Sequence, residues 1–276
     1  MQPVAYLPIL GARIASVTYD ESVAIILRAA REENSRGYVC AANVHTVSMA
    51  RRDLRYRHAL NGALLAVPDG APLVWAHWLL GGRKLKDRVY GPTLMLRLCE
   101  AAASAGLSIY LYGGAPSVAE NLGRNLTARY AKLKVAGTYS PPFGERSDDS
   151  PELLREIEAI NDSGARLVFV ALGAPKQENF MAKHASRIKA VQVGVGAAFD
   201  FHTGRVAQAP RWLQTLGLEW VFRLGCEPRR LWRRYLLYNP YFAVRLMLQR
   251  FGLDGTSRQL ARQLTRELTQ SQETDG

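Results

Sequence analysis

Between residues 20 and 200 the chain alternates short apolar runs with longer stretches in which apolar residues recur at helical spacing. Runs rich in β-branched and aromatic residues are typical of strands buried on both faces of a sheet. We predict such strands at 38–42, 64–67, 108–112, 133–137, 167–172 and 191–195. We predict helices at about 20–34, 46–60, 92–105, 116–130, 151–162 and 177–187. Because helices follow strands in order, the pattern predicts an α/β fold with a Rossmann-like parallel sheet flanked by helices.

The pattern changes near Gly204, where strand-like runs stop and arginine, tryptophan and leucine begin to dominate. We therefore predict an α/β catalytic domain over 1–204, a basic, aromatic-rich helical appendage over 205–251, and a polar tail over 252–276. The tail carries only a thin leucine stripe, which predicts a frayed helix or a disordered segment.

The composition is that of a globular protein, since 276 residues of which 48% are hydrophobic can bury a full core. No stretch approaches the about 18 consecutive apolar residues of a spanning helix, and no basic segment precedes the short apolar run at the start. We therefore expect the chain in the cytosol. Cys40, Cys99 and Cys226 lie far apart without CxxC spacing, which predicts neither a disulfide framework nor a zinc site.

The positive charge is concentrated in the appendage. Residues 205–250 contain nine arginines, no lysine and two acids, a net +7 of the formal +12 of the whole chain. Aromatic residues alternate with these arginines, as on surfaces that rest among lipid headgroups. They are Trp212, Trp220, Phe222, Trp232, Tyr235, Tyr238, Tyr241 and Phe242. We predict an anionic membrane surface as a partner, the alternative being an ordinary basic helical hairpin packed on the core.

Candidate chemistry lies directly after the strands, because ligands of open parallel sheets bind beyond the carboxyl ends of the strands. Asn43 follows the first strand and is either a helix N-cap or an amide that contacts a sugar or base. Asp69 follows the second strand, in a Pro-Asp-Gly turn. A carboxylate beside apolar residues has a raised pKa and can accept a proton from an alcohol, as inverting glycosyl transfer requires.

Three later turns are also candidates. Gly113 and Gly114 either form a plain tight turn or let the backbone approach a phosphate. In the turn at 172–178, a capped helix is the alternative to ligand binding, in which Lys176 would meet a diphosphate and Gln177 a uracil or sugar hydroxyl. Asp200, after the last strand, is a second candidate carboxylate.

Five motifs, in order between about residues 37 and 235, together resemble the WecG/TagA/CpsF glycosyltransferases. They are Pro68-Asp69-Gly70, Gly113-Gly114-Ala115-Pro116, Gly173-Ala174-Pro175-Lys176-Gln177-Glu178, Gly194-Val195-Gly196-Ala197-Ala198-Phe199-Asp200 and Gly217-Leu218-Glu219-Trp220. The resemblance implies an inverting, metal-independent enzyme. Its donor would be a UDP-sugar, typically UDP-N-acetylmannosamine or its uronic acid, and its acceptor undecaprenyl-diphosphate-linked N-acetylglucosamine. Some relatives transfer glucose in exopolysaccharide synthesis.

The resemblance also implies roles for single residues. Asp69 would be the general base, Asn43 and Gln177 would contact substrate, and Arg88 would lie at the active site. Appendage arginines would reach the diphosphate; the candidates are Arg223, Arg229, Arg230, Arg233 and Arg234. The family often has a threonine where this chain has Ala41, and that departure bears on the identity of the sugar.

The chain contains no DxD pair to hold a divalent cation, so we expect no metal and no cofactor. Fixed positive groups would then stabilise the leaving UDP. We expect the appendage to close over the site at the membrane, and truncation before Gly217 to abolish turnover while the core stays folded.

Other functions are compatible with parts of the sequence. A nucleic-acid-binding protein would share the basic aromatic surface, although we expect no nucleic acid partner. A nucleotide-dependent oxidoreductase would share the α/β pattern, but the GxGxxG fingerprint is missing. A catalytically silent scaffold is a third alternative. We expect a cytoplasmic protein, peripheral on the inner face of the cell membrane, and a homo-oligomer by default.

Overall fold

The computed structural model describes residues 4–33, 35–144, 147 and 149–255. The described chain begins with an antiparallel hairpin of β1 (Tyr6–Ile9) and β2 (Ala12–Ala15). It continues into a six-stranded sheet of β3 (Tyr38–Ala42), β4 (Leu65–Pro68), β5 (Ser108–Gly113), β6 (Lys134–Tyr139), β7 (Leu167–Ala171) and β8 (Val191–Gly194). The strand order is β4-β3-β8-β7-β5-β6 and every pairing is parallel. The predicted α/β fold with a Rossmann-like parallel sheet is confirmed.

Nine helices are described before residue 204. They are α1 (Tyr19–Arg31), α2 (Val44–Arg52), α3 (Leu54–Asn61), α4 (Ala71–Leu79), α5 (Gly91–Ala105), α6 (Val118–Arg129), α7 (Pro151–Asp162), α8 (Lys176–His184) and α9 (Ala198–His202). Three helices lie in the appendage, α10 (Arg211–Thr215), α11 (Glu219–Cys226) and α12 (Pro228–Arg250). Within the described ranges, no helix is long and apolar enough to cross a membrane.

The sequence pattern missed the N-terminal hairpin and two short helices, α4 and α9. The hairpin turns through Leu10 and Gly11, which both have positive φ, at 50° and 87°. Two-residue turns of this kind favour Asn or Gly at both positions. Leu10 is instead completely buried, so packing of its side chain offsets an unfavourable backbone conformation.

The single helix predicted over 46–60 is wrong in one respect, because the structure has two helices there. Asp53 ends α2, and its side chain caps α3 by accepting hydrogen bonds from the backbone N–H groups of Arg55 and Tyr56. A short acidic side chain that satisfies two exposed N–H groups stabilises a new helix start. The chain can therefore change direction at this residue.

Two apolar clusters fill the two faces of the sheet, because successive strand residues point to opposite sides. Val39 and Ala41 of β3 face the cluster that includes α1, α5 and α6, whereas Cys40 and Ala42 face the cluster that includes α2 and α3. Phe242 of α12 belongs to this second cluster. The appendage therefore contributes to the core.

The second half of α12 is fixed to the body of the protein by specific contacts. Phe242 and Leu246 are buried, at 4% and 6% exposed. The Gln249 side chain accepts a hydrogen bond from the Leu10 N–H at 2.8 Å and donates one to the Pro8 carbonyl at 2.6 Å. Beyond the helix, Asp254 forms an ion pair with Arg51 at 2.9 Å.

A truncation before Gly217 removes these buried apolar side chains, so we now expect it to destabilise the core as well as to abolish turnover. The division into 1–204, 205–251 and 252–276 remains a proposal. Most of the predicted tail, residues 256–276, lies outside the described residues.

We predict that Leu246→Ala lowers the free energy of unfolding by about 2–5 kcal/mol, as for other buried leucines. Val244→Ala is the matched control, since Val244 lies on the same helix and is 60% exposed; its effect should stay within about 0.5 kcal/mol. Denaturant unfolding of both variants measures the difference. Equal stabilities would show that α12 does not contribute to the core.

Candidate active site

The carboxyl ends of β3 and β4 open into a cavity of about 590 Å³ that α4 and the appendage helices enclose from the other side. Five of the predicted site residues line it, namely Asn43, Asp69, Arg88, Arg223 and Arg234. The cavity therefore brings residues from the sheet and from the appendage to one place.

Asp69 follows β4 directly, and its backbone N–H donates to the Ala42 carbonyl at 2.6 Å, which fixes the turn against β3. The pKa of the Asp69 carboxyl is raised to about 7, chiefly by burial and in addition by the nearby Glu219 carboxylate. The positive charges of Arg88 and Arg223, together with a hydrogen bond from the Gly91 N–H, act in the opposite direction. A carboxyl group with this pKa exchanges protons readily near neutral pH.

Arg88 forms an ion pair with Glu219 of α11 at 2.7 Å, and both side chains are only 11% exposed. The same guanidinium donates to the Gln214 side chain at 3.1 Å and lies over the Tyr90 ring, 4.3 Å from its centroid. Tyr90 in turn donates its hydroxyl proton to the other oxygen of Glu219 at 3.0 Å. This network joins the segment before α5 to the appendage.

Arg223 and Arg234 are the cavity's other guanidinium groups. The Nε atoms of both are buried without a hydrogen-bond partner, and neither residue forms an ion pair with any carboxylate in the described part of the chain. Burial lowers the pKa of Arg234, although an arginine stays charged in proteins. Two guanidiniums with buried Nε atoms and no ion-paired carboxylate favour an anionic ligand.

Sequence reasoning named Arg234 only as one of several appendage arginines. Its guanidinium donates to the Asn43 side-chain oxygen at 3.3 Å, which places it directly at the end of β3. The sequence signal that pointed to Arg234 was the arginine cluster as a whole. Which member of the cluster points inward depends on the rotation of α12 against α2.

Asn43 has both of the predicted roles available to it. As the N-cap of α2, its side-chain oxygen accepts hydrogen bonds from the N–H groups of His45 and Thr46. The same side chain lines the cavity. His45 lines the cavity as well, and burial, together with the Arg234 charge, lowers its pKa to about 4. His45 is therefore neutral at pH 7.

The predicted glycine pair and Gln177 do not line this cavity. Gly113 ends β5 in close contact with β7, since a Cβ at this position would lie 2.5 Å from the Ala171 carbonyl oxygen. The Gln177 side chain is buried; its oxygen accepts from the Gly196 N–H at 3.1 Å and its NH₂ group donates to Glu178 at 2.8 Å. It thus joins the turns after β7 and β8. Contacts of these residues with substrate remain a prediction.

The remaining predicted residues also lie outside the cavity lining. Lys176 is exposed at the start of α8, and Asp200 is partly exposed, 3.9 Å from Arg205. On α12, Arg229, Arg230 and Arg233 are exposed, and Arg230 is paired with Glu227. These three arginines lie outside the cavity that Arg234 lines.

Ala41, the departure from the family pattern, lies beneath the site. It is 8% exposed, and a Cβ on Gly91 would lie 3.4 Å from its methyl group and 3.9 Å from an Asp69 carboxylate oxygen. A larger side chain at position 41 would therefore approach the start of α5 and Asp69.

Over the residues that can be described, no group of three or more His, Cys, Asp or Glu side chains is placed to hold a metal ion. The positive charge in the cavity comes from arginines. The arrangement combines a carboxyl group that titrates near pH 7 with an anion-binding pair of guanidiniums, which suits proton abstraction next to a phosphate.

Comparison with known proteins gives a family and similar relatives, among them two from Bacillus. The model of the "Glycosyl transferase WecG/TagA/CpsF family" matches residues 7–255. The N-acetylglucosaminyldiphosphoundecaprenol N-acetyl-beta-D-mannosaminyltransferase of Bacillus subtilis is 31% identical over 204 residues, 74% of this chain and 76% of the relative. The protein of the same name from Bacillus spizizenii is 31% identical over 220 residues, 79% of this chain and 82% of the relative.

We predict that Glu219→Gln lowers the pKa of Asp69, because it removes a negative charge that disfavours the ionised form and leaves Arg88 without its carboxylate partner. Titration of the Asp69 carboxyl by carbon-13 NMR should give a midpoint near pH 7 in the wild type and a lower one in the variant. Glu227→Gln, which removes the partner of Arg230 instead, is the control and should leave the midpoint unchanged. An unchanged midpoint in Glu219→Gln would contradict the electrostatic role given to Glu219.

Proposed function

The chain belongs to the WecG/TagA/CpsF family of glycosyl transferases and is therefore an enzyme of that class, and we propose that it transfers N-acetylmannosamine or its uronic acid from a UDP-sugar to undecaprenyl-diphosphate-linked N-acetylglucosamine. The names of the two Bacillus relatives support this donor sugar and this acceptor. Family membership favours a transferase over an oxidoreductase or a nucleic-acid-binding protein.

Asp69 is the general base in this proposal. An acceptor hydroxyl attacks the anomeric carbon of the donor sugar on the side opposite UDP, and Asp69 takes the hydroxyl proton. The bond between the anomeric carbon and the diphosphate oxygen breaks, and UDP leaves with the electron pair. The observation that carries this role is the raised pKa of Asp69, about 7, in a cavity that also holds two arginines without counter-ions.

Arginine charge binds phosphate in the proposed mechanism. The guanidiniums of Arg223 and Arg234 line the cavity together with Asp69, so they can bind the diphosphate of the acceptor beside the base. The charge of Arg88 is largely balanced by Glu219. We therefore assign Arg88 to positioning and to the pKa of Asp69. Lys176, exposed at the start of α8, is available to a donor bound over the turns that follow β7 and β8.

We also propose that the cavity mouth rests on the inner face of the cell membrane. Trp75 and Trp78 of α4 line the cavity and are 56% and 67% exposed, and Trp212 of α10 is 62% exposed. Exposed arginines on α12, Arg229 and Arg233, supply positive charge for an anionic leaflet. Indole and guanidinium groups both find partners among lipid headgroups.

We predict that Asp69→Asn slows transfer by about 10²–10⁴-fold, the usual contribution of a general base. A panel of radiolabelled UDP-sugars, assayed in EDTA with the lipid-diphosphate-N-acetylglucosamine acceptor, measures the rate. Because the base must be ionised, kcat/KM of the wild type should fall as the pH drops through about 7. Asp162→Asn, at an exposed position on α7, is the control and should keep full activity. Wild-type turnover by Asp69→Asn would refute the assignment.

We predict that the double variant Arg229→Gln/Arg233→Gln binds anionic liposomes about thirtyfold more weakly, since each basic residue near an anionic leaflet contributes about 1 kcal/mol. Co-sedimentation at low salt measures this, and high salt should release the wild type. Arg124→Gln/Arg155→Gln removes two exposed arginines from α6 and α7 as a matched control. Equal losses in both double variants, or no binding by the wild type, would contradict this orientation.

A further inference from the structure

Away from its charged end, the cavity continues as an apolar groove between α4 and α12. The α4 side is formed by Ala71, Pro72, Trp75, Trp78 and Leu79. These positions recur at the spacing of one helix face. Since Gly70 precedes them and Asp69 precedes Gly70, this wall starts at the proposed base and runs away from it.

The α12 side is formed by Tyr235, Asn239, Phe242, Ala243, Leu246 and Met247. They too share one helix face, and the wall begins directly after Arg234. The helix rises twelve times between Tyr235 and Met247, so this stretch spans about 18 Å at about 1.5 Å per residue. The groove is therefore long compared with a sugar or a nucleotide base, and both walls begin at charged groups.

The segment between α10 and α11 closes one side of the groove. Gly217, with φ at 72°, packs so closely that a Cβ there would lie 3.1 Å from the Ala71 methyl group and 3.2 Å from the Trp75 ring. Leu216 and Leu218 also face the cavity. Among the described residues of the lining, the charged side chains all lie at the end near Asp69. Few polar side chains line the rest of the groove.

The far part of the groove is apolar and exposed. Met247 is 46% exposed there, and Trp75 and Trp78 of the opposite wall are more than half exposed. Contiguous apolar surface of this kind marks a binding site. A peptide would bring backbone N–H and C=O groups that these walls cannot pair, which is costly, whereas a hydrocarbon chain has no such groups.

We propose that this groove holds the first units of the acceptor's polyprenyl chain, with the acceptor diphosphate at Arg223 and Arg234. The inference rests on the proposed function and assigns a site to one part of that substrate. The two guanidiniums have no carboxylate in an ion pair and therefore favour an anion, and the adjoining apolar walls favour a hydrocarbon. A lipid diphosphate carries both groups in one molecule. UDP has the anion but no apolar chain.

The placement also orients the reaction. With the diphosphate at the arginines and the chain in the groove, the acceptor sugar points toward Asp69 at the base of the cavity. The donor then approaches from the turns after β7 and β8, which lie on the other side of β3 in the sheet. Donor and acceptor reach Asp69 from different sides.

The variant Ala243→Trp tests whether the groove holds the prenyl chain. Because Ala243 lines the groove and is exposed, an indole at this position blocks the groove without entering the core. Two acceptors carry the same sugar diphosphate, one on a long polyprenyl chain and one on a short alkyl chain that ends before position 243. We expect KM for the long-chain acceptor to rise about tenfold, equivalent to about 1.4 kcal/mol. KM for the short-chain acceptor should stay unchanged.

Val244→Trp is the matched control, one residue further on the same helix and outside the cavity lining, and should change neither KM. Equal increases for both acceptors in Ala243→Trp, or no increase for either, would overturn the proposal. A wild type that transfers sugar to neither acceptor would instead contradict the proposed function.

A direct measurement is independent of turnover. A farnesyl diphosphate analogue with a diazirine in its prenyl chain should label peptides of α4 and α12 in the wild-type protein. An excess of unlabelled prenyl diphosphate should prevent the labelling, and inorganic diphosphate should reduce it. Labelling outside α4 and α12, or labelling insensitive to both competitors, would overturn the assignment even if a variant misfolds.

Discussion

The ion pair between Arg88 and Glu219 joins the appendage to the active site. Both groups are almost buried, and each has a second partner, Gln214 for the guanidinium and Tyr90 for the carboxylate. Removing one member of a buried pair leaves an uncompensated charge, which costs about 3–5 kcal/mol. The position of α11, the orientation of Arg88 and the pKa of Asp69 therefore depend on the same contact.

The charges around Asp69 are incomplete without a ligand. Three guanidiniums, those of Arg88, Arg223 and Arg234, face two carboxylates, so one positive charge is in excess when Asp69 is ionised. A bound diphosphate changes the net charge of this group from positive to negative. A nearby negative charge raises the pKa of a carboxyl group, so in the proposed mechanism a bound phosphate raises the pKa of Asp69 and strengthens its carboxylate as a base.

The sheet and the location of the site could be predicted from the sequence because both depend on local pattern. Strands buried on both faces appear as continuous apolar runs, and the turns after them carry Asn43 and Asp69. The pattern of α4 was less informative, since its sequence is apolar on the buried and exposed sides alike, with Trp75 and Trp78 facing the cavity.

The inward direction of Arg234 and the internal bonds of Gln177 could not be predicted, because they depend on contacts between distant segments. Arg234 meets Asn43 across 191 positions of sequence, and Gln177 meets the Gly196 N–H across 19. No local pattern separates Arg234 from Arg233, its exposed neighbour. The side of a helix that faces a site is a property of tertiary packing.

The two walls that the appendage contributes are fixed by different forces. Phe242 and Leu246 hold α12 against the core through apolar burial, which persists over a wide range of pH and salt. In α11 the one buried residue is Glu219, whose buried contacts are the ion pair with Arg88 and the hydrogen bond from Tyr90. Apolar packing therefore positions Arg234 on α12, whereas the wall formed by α11 depends on a buried pair of charges. The ion pair that adjusts the pKa of Asp69 thus also holds one side of the cavity.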